Sequence, residues 1–164
     1  MAALAAGAQA PSFTLTNLDG NPRSLSNLGS DDLLLLVFYH RGCATCRLIA
    51  PVLGHMSRTL QSQHAKMWGI SQDPDDESAA FALEHDFKMT VLIDEPPYAV
   101  SEAYGLTNVP TLFLIDGGRR IVKSCVGFSK SDFIDFAAAL AQKAGVSPPD
   151  LFADYRDLPE IRPG

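Results

Sequence analysis

The sequence predicts an α/β domain in which a central mixed β-sheet is flanked by helices. Leu33 to Tyr39 is an unbroken apolar run, the pattern of a strand covered on both faces. From Ala44 onwards apolar residues recur at three- and four-residue steps, as on one face of a helix. Further on, two apolar stretches joined by Asp116-Gly117-Gly118 are followed by a second helical pattern, so strands and helices alternate along the chain.

Ahead of the central strand, Phe13 to Leu15 alternates after Pro11. Leu18-Asp19-Gly20-Asn21 then supplies turn residues before Arg23 to Leu25, so an N-terminal β-hairpin extension is expected. Leu48, Ile49, Val52, Leu53, Met56 and Leu60 mark the inward stripe of the first long helix. Pro51 interrupts it; a proline there removes one helical hydrogen bond and crowds the preceding turn, so the helix should bend, not end. Lys66 to Ser71 reads as a second strand. Asp75 to Asp86 reads as an inserted helix with an acidic first turn and with Ala79, Ala80, Leu83 and Phe87 on one side.

Val91 to Ile93 is a short strand, and Tyr98 to Tyr104 a short helix stopped by Gly105. Thr111 to Ile115 and Ile121 to Val126 form the second hairpin. The last helix runs from Ser131 to Ala144 with Phe133, Phe136, Ala137 and Leu140 inward, and Gly145 with Pro148 and Pro149 stops it. One domain over residues 1–164 is expected, with 1–6 and 148–164 as mobile or irregular tails.

The composition, 46% hydrophobic and 20% charged, is that of an ordinary globular chain. A net charge of -6 provides no domain-wide positive field, which argues against nucleic acid or an anionic membrane surface as partner. The longest apolar run is far too short to span a bilayer. MAALAAGAQA lacks a basic leading segment, so no export signal is read and a cytoplasmic location is expected. In that setting three cysteines do not make a disulfide framework, and a close pair points to redox or metal work.

That pair is Cys43-Ala44-Thr45-Cys46, placed between the buried strand and the helix. The first cysteine then falls at the helix N-cap, where the free amides of Thr45 and Cys46 and the helix dipole favour negative charge on its sulfur. Cys43 is therefore expected to have a lowered pKa and to act as the nucleophile, because the thiolate is the attacking species. Cys46, one turn further in, suits the resolving role. His40 and Arg41 are expected to add positive charge nearby, with Thr45 and Pro51 in support.

A zinc site would need two more ligands at matching spacing. No second cysteine pair exists and His40, His55, His64 and His85 are scattered, so neither metal nor cofactor is expected. Cys125, on a core strand, reads as a small hydrophobe.

Phe38 to Leu53, FYHRGCATCRLIAPVL, resembles the active-site strand and helix of thioredoxin, including Arg47 and Pro51. Val109-Pro110-Thr111 is similar to the cis-proline loop of that fold. GAQAPSFTLTNLDGNPRSL, GISQDPDD and LFLID resemble the redoxin branch, which includes alkyl hydroperoxide reductase relatives and TlpA-like thiol-disulfide reductases. The resemblance implies a thioredoxin fold, a cis Pro110, and pairing of the Val109 backbone with an extended substrate segment. It also implies a protein disulfide substrate, a thiol reductant as partner, and antioxidant activity.

The chain departs from thioredoxin at Gly42, where that protein has Trp, at Ala44-Thr45, and at Val37, where it buries an acid. Peroxiredoxins carry a Pro and a Thr or Ser ahead of their reactive cysteine. The corresponding residues here are Tyr39 and Cys43 counted from Cys46, or Leu36 and His40 counted from Cys43. The function expected is thiol-disulfide exchange that reduces protein disulfides. The alternatives are a peroxiredoxin-like thiol peroxidase using Cys43 or Cys46, and a redox-silent or metal-carrying binding module.

Overall fold

A computed structural model describes residues 2–164. Its elements are β1 (Thr14–Asn17), β2 (Pro22–Ser24), β3 (Leu33–Tyr39), α1 (Ala44–Thr59), β4 (Ala65–Ser71), α2 (Asp75–Glu84) and β5 (Thr90–Ile93). They continue with α3 (Ala99–Ala103), β6 (Thr111–Asp116), β7 (Ile121–Val126), β8 (Phe128–Ser129), α4 (Lys130–Ala144) and β9 (Ile161–Arg162). Seven strands form one sheet in the order β2-β1-β5-β4-β3-β6-β7. β3, β4 and β5 run parallel, whereas β6 is antiparallel to β3, β7 to β6, and β1 to β5.

β3 is the axis of the molecule, flanked by β4 and β6, and its apolar run serves two cores at once. Leu35, Val37 and Tyr39 face the core made with α1 and α4, through Ile49, Val52, Met56, Phe133 and Phe136. Leu34, Leu36 and Phe38 face the other, with Phe13, Trp68, Tyr104 and Phe113. A strand buried on both faces stands at the centre of a mixed sheet, and its carboxyl end leads straight to α1. α1 continues through Pro51 without ending.

One expectation is corrected. α2 does not bury Ala79, Ala80 or Leu83; Leu83 is 84% exposed, and the buried residues are Ser78 and Phe81. The helix is rotated by two anchors that periodicity does not register. Ser78 hydrogen-bonds the Ser71 hydroxyl at 2.7 Å and donates to the Asp73 carbonyl at 3.1 Å, and Phe81 stacks on Tyr39 with ring centres 5.7 Å apart. Phe87 is half-buried beyond the helix end, edge-on to Tyr39.

Residues 148–164 contain no helix, yet they are packed in place. Leu151 and Phe152 are buried, Phe152 lies edge-on to Phe128, and β9 pairs antiparallel with β8. A pair of neighbouring apolar residues has no period to detect, which is why the docking is silent in the sequence. Of the expected N-terminal tail, residue 1 lies outside the described residues. Leu4 donates its amide to Tyr104, and Ala3 and Leu4 pack on the second core.

Candidate active site

The chain leaves β3 through a turn, His40 to Gly42, before α1 begins. The Cys43 amide donates to the His40 carbonyl at 3.0 Å, the Arg41 amide to Asp73 Oδ2 at 2.8 Å, and the Gly42 amide to His40 Nδ1 at 2.7 Å. Cys43 is the N-cap of α1, in extended backbone at φ -80° and ψ 125°. Its sulfur accepts a hydrogen bond from the Cys46 amide at 3.3 Å, using one of the free donors of the first turn. Its thiol donates to the Val109 carbonyl, also at 3.3 Å.

Cys46 sits behind it, 2% exposed, and both thiols are free. Burial pushes the Cys46 thiol well above the ordinary thiol range, and the neighbouring Cys43 and Asp73 push it in the same direction. The pair is thus asymmetric: a partly exposed sulfur at a helix N-terminus and a buried one held protonated.

Val109 and Pro110 stand where the resemblance placed them, with the Val109-Pro110 peptide cis and the Val109 carbonyl against Cys43. Of the two amides expected at the Cys43 sulfur, that of Cys46 reaches it; Thr45 contributes its hydroxyl, which donates to the Pro163 carbonyl at 2.7 Å. Pro51 lies further along α1, where its carbonyl faces the Tyr155 hydroxyl at 3.5 Å.

His40 and Arg41 form the turn itself. The Arg41 guanidinium is paired with Glu77 at 2.8 Å, and His40 Nδ1 acts as an acceptor, because an amide can only donate. The His40 ring is thus engaged with the turn, and the Arg41 side chain with α2. Cys125 is buried on β7, its thiol directed at the Gly127 carbonyl, and burial pushes it up to about 12, as suits a packing residue.

Two hollows flank the cysteines. A groove of about 630 Å³ is lined by Cys43, Thr45, Asn108 and Val109 together with the segment Arg162 to Gly164. Gly164 lies so close to Val109 that any side chain there would overlap the Val109 carbonyl. On the other side of the turn, a cavity of about 770 Å³ is lined by His40, Arg41, Arg47, Asp73, Glu77 and His85, among others.

Asp73 and the 162–164 segment are the site residues that sequence reasoning missed. Asp73 lies in the GISQDPDD stretch, which carried a resemblance but no signal of a role. Among the described residues no cluster of three or more His, Cys, Asp or Glu is arranged for a metal, and no helix is long and apolar enough to cross a membrane.

Comparison with known proteins gives the family and the fold. The model of the AhpC/TSA family matches residues 6–124. The thiol-disulfide oxidoreductase ResA of Bacillus anthracis is 25% identical over 122 residues, covering 74% of this chain and 69% of that protein. A thiol:disulfide interchange protein DsbE homolog of Paracoccus denitrificans is 28% identical over 123 residues, covering 74% and 66%.

Among solved structures, the thioredoxin domain of a thiol-disulfide oxidoreductase from Bacteroides vulgatus superposes with a TM-score of 0.70. It is 23% identical, covering 85% of this chain and 97% of that one. A secreted disulfide oxidoreductase of Mycobacterium tuberculosis gives 0.65 at 19% identity, covering 77% and 95%. The two structural likenesses speak for the fold, the family match for descent: the chain belongs to the AhpC/TSA family, as an oxidoreductase on a thioredoxin-like fold.

Proposed function

We propose that this protein reduces protein disulfides by dithiol-disulfide exchange. The observation that supports it is the asymmetry of the pair: Cys43 capping α1 under the Cys46 amide, with Cys46 buried behind it. In this reading the Cys43 thiolate attacks one sulfur of a substrate disulfide and forms a mixed disulfide, and the other substrate sulfur leaves as a thiolate. Cys46 then gives up its proton and attacks the Cys43 sulfur. The mixed bond breaks, the second substrate thiolate departs, and the Cys43-Cys46 disulfide carries away the two electrons' worth of oxidation. A thiol reductant restores the dithiol.

The Val109 carbonyl links substrate binding to the state of Cys43. It accepts the Cys43 thiol in the reduced enzyme, so loss of that proton leaves the carbonyl without its donor and open to a substrate amide. An extended segment lying in the groove would supply one. A cytoplasmic setting belongs to this proposal, since thiol buffers there keep dithiols reduced.

The test is Cys46→Ser incubated with a protein disulfide and analysed by mass spectrometry without reductant. A mixed disulfide on Cys43, with turnover in the wild type, is the expected result. If neither is seen, the reading is wrong, and peroxide consumption above that of a free thiol would put the peroxidase in its place.

A further inference from the structure

We propose that Asp73, acting through His40, is a positioning residue for the redox centre: the two side chains lock the turn that presents Cys43. The role deepens the dithiol-disulfide reading and rests on it. The lock has four parts. Asp73, 4% exposed, accepts the Arg41 amide on Oδ2 at 2.8 Å. Its other oxygen faces His40 Nε2 at 3.6 Å. His40 Nδ1 in turn accepts the Gly42 amide at 2.7 Å. Finally, a Cβ at Gly42 would stand 2.6 Å from His40 Cε1 and 2.8 Å from Nδ1, so the ring closes on the amide because residue 42 is glycine.

These contacts are mutually dependent. With Nδ1 accepting, the neutral ring carries its proton on Nε2, the nitrogen turned toward the Asp73 carboxylate; the acid thereby selects the tautomer that the turn requires. Asp73 is itself fixed, its amide donating to the Ser71 hydroxyl at 3.1 Å and its carbonyl accepting from Ser78 at 3.1 Å. That rigidity originates in β4 and α2 and reaches two successive amides of the turn, Arg41 and Gly42. The next amide, that of Cys43, bonds back to the His40 carbonyl. The sulfur's contacts with Cys46 and Val109 are both 3.3 Å, so a small shift of the turn disturbs both at once.

The experiment measures disulfide reduction, protection of the Arg41 and Gly42 amides from hydrogen exchange, and thermal stability in one variant series. His40→Ala should lower the reduction rate about 10-fold, within the range that misplacement of a reacting group produces. It should also lose Gly42 amide protection, while the melting temperature stays near that of the wild type because the ring is partly exposed. Asp73→Ala should lose protection at both amides. His40→Asn should recover most of the rate, since a short amide side chain accepts the N–H two residues on. Gly42→Ala should cost about as much as His40→Ala alone, and add no more than about 2-fold in the His40→Ala background, where the obstructing ring is gone.

Wild-type rate and unchanged Gly42 protection in His40→Ala would overturn the proposal. So would an equal Gly42→Ala penalty with and without the ring. If the wild type reduces no disulfide, the functional reading falls by itself; amide protection still decides whether Asp73 and His40 hold the turn.

Discussion

On the groove side of the redox turn, Cys43 and Thr45 meet backbone carbonyls, those of Val109 and Pro163, contributed by residues far away in the chain. On the cavity side the turn meets side chains: Asp73, His40, and the Arg41-Glu77 pair. The contrast assigns the two faces different tasks. Backbone groups are the same whatever the sequence of an approaching strand, so under the proposed function the groove would pair with many extended segments and select little among them. Side chains with fixed hydrogen bonds impose one geometry, so the cavity side suits holding the sulfur still.

Phe152→Ala should have the largest effect on stability, about 3 kcal/mol, through the cavity left beside Phe128. Chemical denaturation reads the loss. Hydrogen exchange should show β9 released while the Arg41 and Gly42 amides keep their protection; loosening of both faces together would break the comparison. A second carboxylate-held turn offers an intermediate case at the opposite end of β3. There Asp32 accepts the Gly29 amide and His64 Nδ1, both at 2.7 Å, with Lys66 at 3.5 Å. Burial alone would raise this carboxyl, but the His64 and Gly29 hydrogen bonds and the Lys66 charge outweigh it and hold it below the ordinary value of 3.8.

A lowered carboxyl adds stability that is present above its unfolded pKa and disappears as the pH falls through its folded one. Asp32→Asn should therefore cost about 1–2 kcal/mol at neutral pH. The gap should close in acid denaturation below pH 3.8, and disulfide reduction should stay unchanged. A loss of activity would show that any turn on β3 matters, which removes what is special about the one at Asp73. Glu77→Gln should do least. It removes an exposed ion pair worth under about 1 kcal/mol, and a large drop in rate would mean that Arg41 needs its partner to hold the turn.

What was legible in the sequence is what neighbours in sequence decide. β3 is an apolar run, α1 a periodic stripe, and the cysteines sit at their junction, so strand, helix and redox pair could be read together. The Val109-Pro110 loop was reached only through resemblance, because nothing local ties it to a cysteine 66 residues away. The rotation of α2 was misread because Ser78, a polar residue, is the one drawn inward by Ser71 and Asp73. Asp73 itself and the 162–164 segment are placed by contacts between distant elements, and neither carries a pattern of its own.

Thr45, between the two cysteines, anchors Pro163, and Gly164 rests against the Val109 carbonyl. Any polypeptide continuing past Gly164 therefore starts at the mouth of the groove. A disulfide carried on a short flexible continuation would meet Cys43 as an intramolecular reactant, at an effective concentration on the order of millimolar. If the groove takes substrate as proposed, residues joined after Gly164 would compete with it for the same backbone.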